Sequence, residues 1–96
     1  MDIREVLKAK RTDILRVAAR YGARNVRLFG SVARGEADES SDVDLLVTMD
    51  RGRSLLDHAA LWLDLQALLG CKVDVVSERG IKERTRERVL REAVPL

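Results

Sequence analysis

The chain is poor in several residue types, and each shortage excludes something. One cysteine in 96 residues, Cys71, rules out an internal disulfide and agrees with a reducing compartment. The lone histidine, His58, has no second imidazole at ligand spacing, so a histidine-based metal site is not expected. Tyr21, Phe29 and Trp62 are the only aromatics, too few to furnish stacking platforms for a nucleic acid. No apolar stretch approaches the roughly 18 residues of a membrane span, and the N-terminus carries no signal-peptide pattern. A cytoplasmic location is therefore the expectation. Charge of one sign is also lacking: 18 basic residues face 16 acidic ones, for a net charge of +2. That balance is too mild to argue for direct nucleic-acid binding. Repeats, low-complexity tracts and linkers are absent, so a single domain is expected. A chain of this size has a thin core, and a partner or self-association (a homo-oligomer) would help it.

What is present reads as a compact α/β alternation. Asp2 with Glu5 marks a helix start. Ile3, Val6, Leu7, Ile14, Val17, Ala18 and Tyr21 then fall on one face of a helix that Gly22 ends. A first strand is expected near 25–29, a second near 43–48 and a third near 72–77. Between the first two lies a polar, acidic loop with Glu36, Asp38, Glu39 and Ser40. Ser54 with Asp57 starts a helix that Gly70 closes, and a charged helix fills most of 81–93. The expected fold is α/β (α+β), a small mixed sheet of about three strands with helices packed on it.

The chemistry-bearing residues cluster around the strands. Asp42 and Asp44 sit two residues apart at the start of the apolar run Leu45-Leu46-Val47. On an extended strand they project from the same face. Two like charges held together repel unless a cation lies between them, and paired hard oxygens suit Mg²⁺. Upstream, Val26 to Phe29 runs into Gly30-Ser31, and Ser31 to Arg34 reads as a short helical turn before Gly35. A strand passing through glycine into a helix start aims backbone N–H groups at one spot, a ready anion site. Ser31 adds a hydroxyl and is expected to cap the turn as well, and Arg34 offers a guanidinium fork to phosphates. Asp74, inside the run Lys72-Val73-Asp74-Val75-Val76, is costly to bury without a partner. A metal shared with Asp42 and Asp44 would supply one. Glu36 reads as a rim residue and Cys71 as a small core hydrophobe.

Gly30-Ser31-Val32-Ala33-Arg34-Gly35-Glu36, then Ser41-Asp42-Val43-Asp44-Leu45, then Asp74, resembles the signature of the DNA polymerase β-type nucleotidyltransferase superfamily. The small size resembles its minimal nucleotidyltransferase (MNT) branch, with residues 1–96 as one such domain. No motif position departs from the pattern. The resemblance implies Mg²⁺-dependent transfer of a nucleotidyl group, with ATP as donor. Asp42, Asp44 and Asp74 would be the catalytic and metal-binding carboxylates, and Gly30, Ser31 and Arg34 the nucleotide-binding residues. Larger relatives carry a second domain for the acceptor, so here the acceptor is expected to dock from outside. The branch resembles antitoxins paired with helical HEPN-type RNase toxins, some of which receive AMP on a tyrosine. A small-molecule (aminoglycoside-type) nucleotidyltransferase and a non-catalytic antitoxin that acts by binding are the alternatives.

Two helices bear on partners. The apolar residues of 55–69 cover far more than one stripe, so part of that helix either meets another chain or is covered by loops and the C-terminal helix. In the last helix Lys82, Arg84, Arg86, Arg88 and Arg91 alternate with Glu83, Glu87 and Glu92. That pattern reads as a solvated surface supported by i,i+4 pairs rather than a nucleic-acid stripe.

Overall fold

The computed structural model describes residues 2–38 and 40–96. Glu39 of the acidic loop lies outside the described residues. In chain order the elements are α1 (Ile3–Ala9), α2 (Arg11–Arg20), β1 (Ala23–Phe29), α3 (Gly30–Arg34), β2 (Val43–Met49), α4 (Leu55–Leu69), β3 (Val73–Ser77), α5 (Glu83–Glu92) and β4 (Val94–Pro95). A 3-10 turn, Glu78–Gly80, links β3 to α5.

The expected first helix is in fact two. Asp2 caps α1 through its side chain onto the Arg4 amide, but the backbone leaves helical geometry at Lys10, with φ −100° and ψ 11°. The Lys10 ammonium reaches across to the Leu68 carbonyl near the end of α4, at 2.6 Å. That contact spans the chain, and no local pattern signals it. The apolar face survives the break: Leu7, Ile14 and Ala18 are buried, with Ile3, Val6, Val17 and Tyr21 packed against the core.

Among the described residues the sheet has four strands in the order β3-β2-β1-β4, against the about three expected. The extra strand is only Val94–Pro95, too short to carry an alternating pattern, and it pairs antiparallel with β1 at Leu28 and Arg27. β1 and β2 are antiparallel; β2 and β3 are parallel. Val26 and Leu28 of β1, Val43, Leu45 and Val47 of β2, and Val73 and Val75 of β3 join the core with Ile14, Leu61 and Leu65 of the helices. Strand alternation sends the neighbours of these residues to the other face. There Leu46 is buried too, and Glu78 accepts from Arg27 and Thr48 while its carbonyl accepts from Arg86 of α5.

Ser54 and Asp57 form a reciprocal capping box at the start of α4, and Gly70 ends it in the left-handed conformation, as the sequence indicates. Its packing is one-sided. Leu61, Leu65 and Leu69 are buried, whereas Leu55 and Leu56 stand 83% and 80% exposed and Leu63 55%. Among the described residues, neither the loops nor the C-terminal helix covers that stripe. A second stripe, His58, Trp62 and Gln66, runs along β3, the strand at one edge of the sheet. His58 Nε2 lies 2.7 Å from the Val75 carbonyl, Trp62 Nε1 donates to the Val73 carbonyl at 2.6 Å, and Gln66 accepts from the Val73 amide at 3.3 Å. Spacing of four residues places these side chains in line, so α4 satisfies backbone groups that an open edge would expose. His58 is thus a structural residue.

Candidate active site

The site forms at the end of the sheet where β1 finishes and β2 and β3 begin. Phe29 of β1 is the register partner of Asp44 on β2, and Asp44 is the register partner of Asp74 on β3. Directly paired residues point to the same face, so the two carboxylates flank each other across the parallel pair. Asp42 precedes β2 by one residue and is exposed. Asp74 is exposed as well: β3 is an edge strand, and the cost of burial does not arise there. Register, rather than burial, gives Asp74 its place.

Asp44 is half-buried, and its carboxyl is pushed up to about 6, first by desolvation and then by the charges of Asp74 and Asp42. Arg34 acts in the opposite direction, and Glu92 adds to the rise. All four groups therefore lie within electrostatic reach of one carboxylate.

Gly30 begins α3 with φ +77°, a region open chiefly to glycine. A Cβ at this position would strike the Asp44 carboxylate. The turn therefore places backbone against the carboxylate, an approach that any side chain would prevent. The one-turn helix α3 is pinned by buried Val32 and ends at Gly35, also left-handed. Ser31 is an internal residue of α3; the residue preceding the helix is Phe29, with no side-chain cap. Ser31 is therefore not the cap expected from the sequence.

Arg34 is already engaged. Its Nε donates to Glu36 at 2.8 Å and its Nη1 to Glu92 at 2.9 Å. These carboxylates hold the guanidinium's pKa above its ordinary value. Glu36 is thus a partner of Arg34 at the rim. Glu92 was not singled out by sequence, although it follows Val89, the buried residue of α5, by three positions and so shares its helical face. The Glu87–Arg91 pair on the same helix is exposed at 3.7 Å, the solvated type of pair expected of such a face.

Asp42 also lines a cleft of about 370 Å³ with Ser40, Ser41, Gly70, Cys71 and Lys72. A cleft of about 450 Å³ between α1 and β4 is lined by Arg4, Lys8 and Arg11 over Leu7, Leu28 and Leu96; none of the residues expected at the site lines it. Among the described residues no three His, Cys, Asp or Glu side chains are arranged to hold a metal ion. The donor chemistry nevertheless fits a hard divalent cation. Mg²⁺ needs only one or two protein carboxylates when phosphate oxygens and water complete its shell, and the mutual repulsion felt at Asp44 is what such a cation relieves.

A sequence model of the nucleotidyltransferase domain family matches residues 5–96. The chain is 41% identical over 93 residues to protein adenylyltransferase MntA of Thermococcus cleftensis, covering 97% of this chain and 91% of that protein. It is 37% identical over 94 residues to a Methanocaldococcus jannaschii protein assigned as an adenylyltransferase, covering 98% and 97%. A solved structure assigned to a minimal nucleotidyltransferase superposes with a TM-score of 0.89 at 61% identity, over 100% of this chain and 97% of the other. A crystal structure of a toxin–antitoxin with AMP-PNP shares the fold, with a TM-score of 0.75 at 21% identity over 88% of this chain and 69% of the other.

Proposed function

The chain belongs to the nucleotidyltransferase domain family, and on that premise we propose that it moves AMP from ATP to a hydroxyl of a partner protein. The observation that carries this reading is the row formed by Gly30, Asp44 and Asp74: a side-chain-free turn packed on one carboxylate, with a second carboxylate in register beside it. The nearly full-length similarity to a protein adenylyltransferase supports a protein as acceptor.

In this reading the Gly30-Ser31 turn holds the terminal phosphates through backbone N–H groups and the Ser31 hydroxyl, and Arg34 offsets their charge. Asp42, Asp44 and Asp74 would hold Mg²⁺, which when bound supplies charge neutralisation at the phosphates. Asp74, exposed on the edge strand, orients the acceptor hydroxyl and receives its proton. The hydroxyl oxygen bonds to the α-phosphorus, the bond from that phosphorus to the bridging oxygen breaks, and pyrophosphate leaves with the electron pair. Positioning supplies much of the rate in such a transfer. The acceptor of choice is a tyrosine on a HEPN-type RNase toxin, which would make the chain an antitoxin.

Intact-mass spectrometry of the cognate toxin, incubated with the enzyme, ATP and Mg²⁺, tests the proposal. The toxin gains mass in AMP units with wild type and gains none with Asp42→Ala/Asp44→Ala. Asp74→Ala slows the gain while largely sparing ATP binding. An unmodified toxin that the double variant still inhibits would mean neutralisation by binding alone.

A further inference from the structure

Arg34 is a candidate phosphate ligand with two of its donors already engaged, and one of its partners comes from the far end of the chain. We propose that Glu92 is a positioning residue that competes with the nucleotide's phosphates for the Arg34 guanidinium and so sets the affinity of the site for ATP. The inference rests on the nucleotide-binding reading given above.

Glu92 ends α5, and two residues later Val94 pairs with Leu28 on β1, just ahead of Gly30. This short tether holds the Glu92 carboxylate near the turn, and its side chain is 25% exposed. Glu36, the other partner, sits on the loop beyond α3 and is 64% exposed. A guanidinium has five N–H donors; Nε serves Glu36 and Nη1 serves Glu92. A phosphate recruiting the terminal nitrogens in a fork meets Glu92 rather than Glu36.

Two effects of removing the Glu92 charge point the same way and one opposes them. The Nη1 donor is released for phosphate, and a carboxylate close enough to act on Asp44 no longer repels a polyanion. Against this, Arg34 loses one anchor. Glu36 still holds Nε at 2.8 Å, so the fork keeps its place and the gain prevails. Solvent screening makes the exposed Glu36 carboxylate the weaker of the two charges.

Calorimetric titration of ATP, with and without Mg²⁺, into wild type, Glu92→Gln and Glu36→Gln tests this. Glu92→Gln should tighten ATP binding about three- to tenfold, Glu36→Gln should do less, and the melting temperature of Glu92→Gln should not rise. A merely structural ion pair would lose affinity and stability together. Unchanged or weaker binding in Glu92→Gln, or an equal gain in Glu36→Gln, overturns the inference while the nucleotide site stands. Absence of ATP binding in wild type overturns the site itself, and the inference with it.

Discussion

Gly30 and Asp44 occupy what would otherwise be the same space: the Asp44 carboxylate lies where a Cβ on Gly30 would stand. The left-handed turn and the strand carboxylate are therefore one feature, made by two segments that pair through Phe29 and Asp44. A side chain added at position 30 must displace the Asp44 carboxylate.

Gly30→Ala combines a strained φ of +77° with that collision, whereas Gly35→Ala at φ +75° meets open space. Denaturant titration should show a loss of about 1 kcal/mol for Gly35→Ala and at least about twice that for Gly30→Ala. Equal losses would mean that Asp44 moves aside freely.

Asp44 makes stability depend on pH when divalent cations are chelated. Its folded-state carboxyl is raised from 3.8 to about 6, so the folded state holds its proton more tightly than the unfolded state. The contribution is full below pH 3.8 and is lost as pH rises through about 6. In chelator, Asp44→Asn should therefore melt higher than wild type near pH 8, and the difference should shrink towards pH 4. Scanning fluorimetry across that range measures it, and a variant less stable than wild type at pH 8 would contradict the crowded-carboxylate picture. Adding Mg²⁺ with ATP should stabilise wild type more than Asp44→Asn.

Trp62 Nε1 donates to the Val73 carbonyl on the edge strand. Trp62→Phe keeps an aromatic ring and removes the donor, at a cost of about 1 kcal/mol. Hydrogen exchange followed by mass spectrometry should show faster labelling of 73–77, with β1 little changed. Uniform acceleration across the sheet would assign Trp62 to general packing instead.

The two sides of α4 separate folding from association. Leu61 is fully buried, so Leu61→Ala should cost about 2–5 kcal/mol. Leu56 and Leu63, exposed on the opposite side, should change stability by no more than about 0.5 kcal/mol when replaced by Glu. Light scattering should show those same replacements disrupting an oligomer or the proposed complex with a helical toxin. A monomer whose Leu56→Glu and Leu63→Glu variants only unfold would return this stripe to the core.

Short-range features were legible in the amino-acid sequence because their causes lie within a few residues. The Ser54–Asp57 capping box, the closing Gly70 and the Gly30 turn all follow from local backbone and side-chain chemistry. Only the tertiary structure decided which distant groups meet. The break at Lys10 comes with a bond to Leu68, β4 exists through pairing with β1, and Asp74 gains its place from parallel register with Asp44. Arg34 likewise ends between Glu36 and a carboxylate at the far end of the chain. The motif could mark Arg34 as a candidate ligand but could not say that two of its donors were engaged. A helix apolar nearly all round gives no sign of which side will be left bare. Periodicity records that a residue is apolar or charged; the neighbour it finds is set by how the whole chain closes.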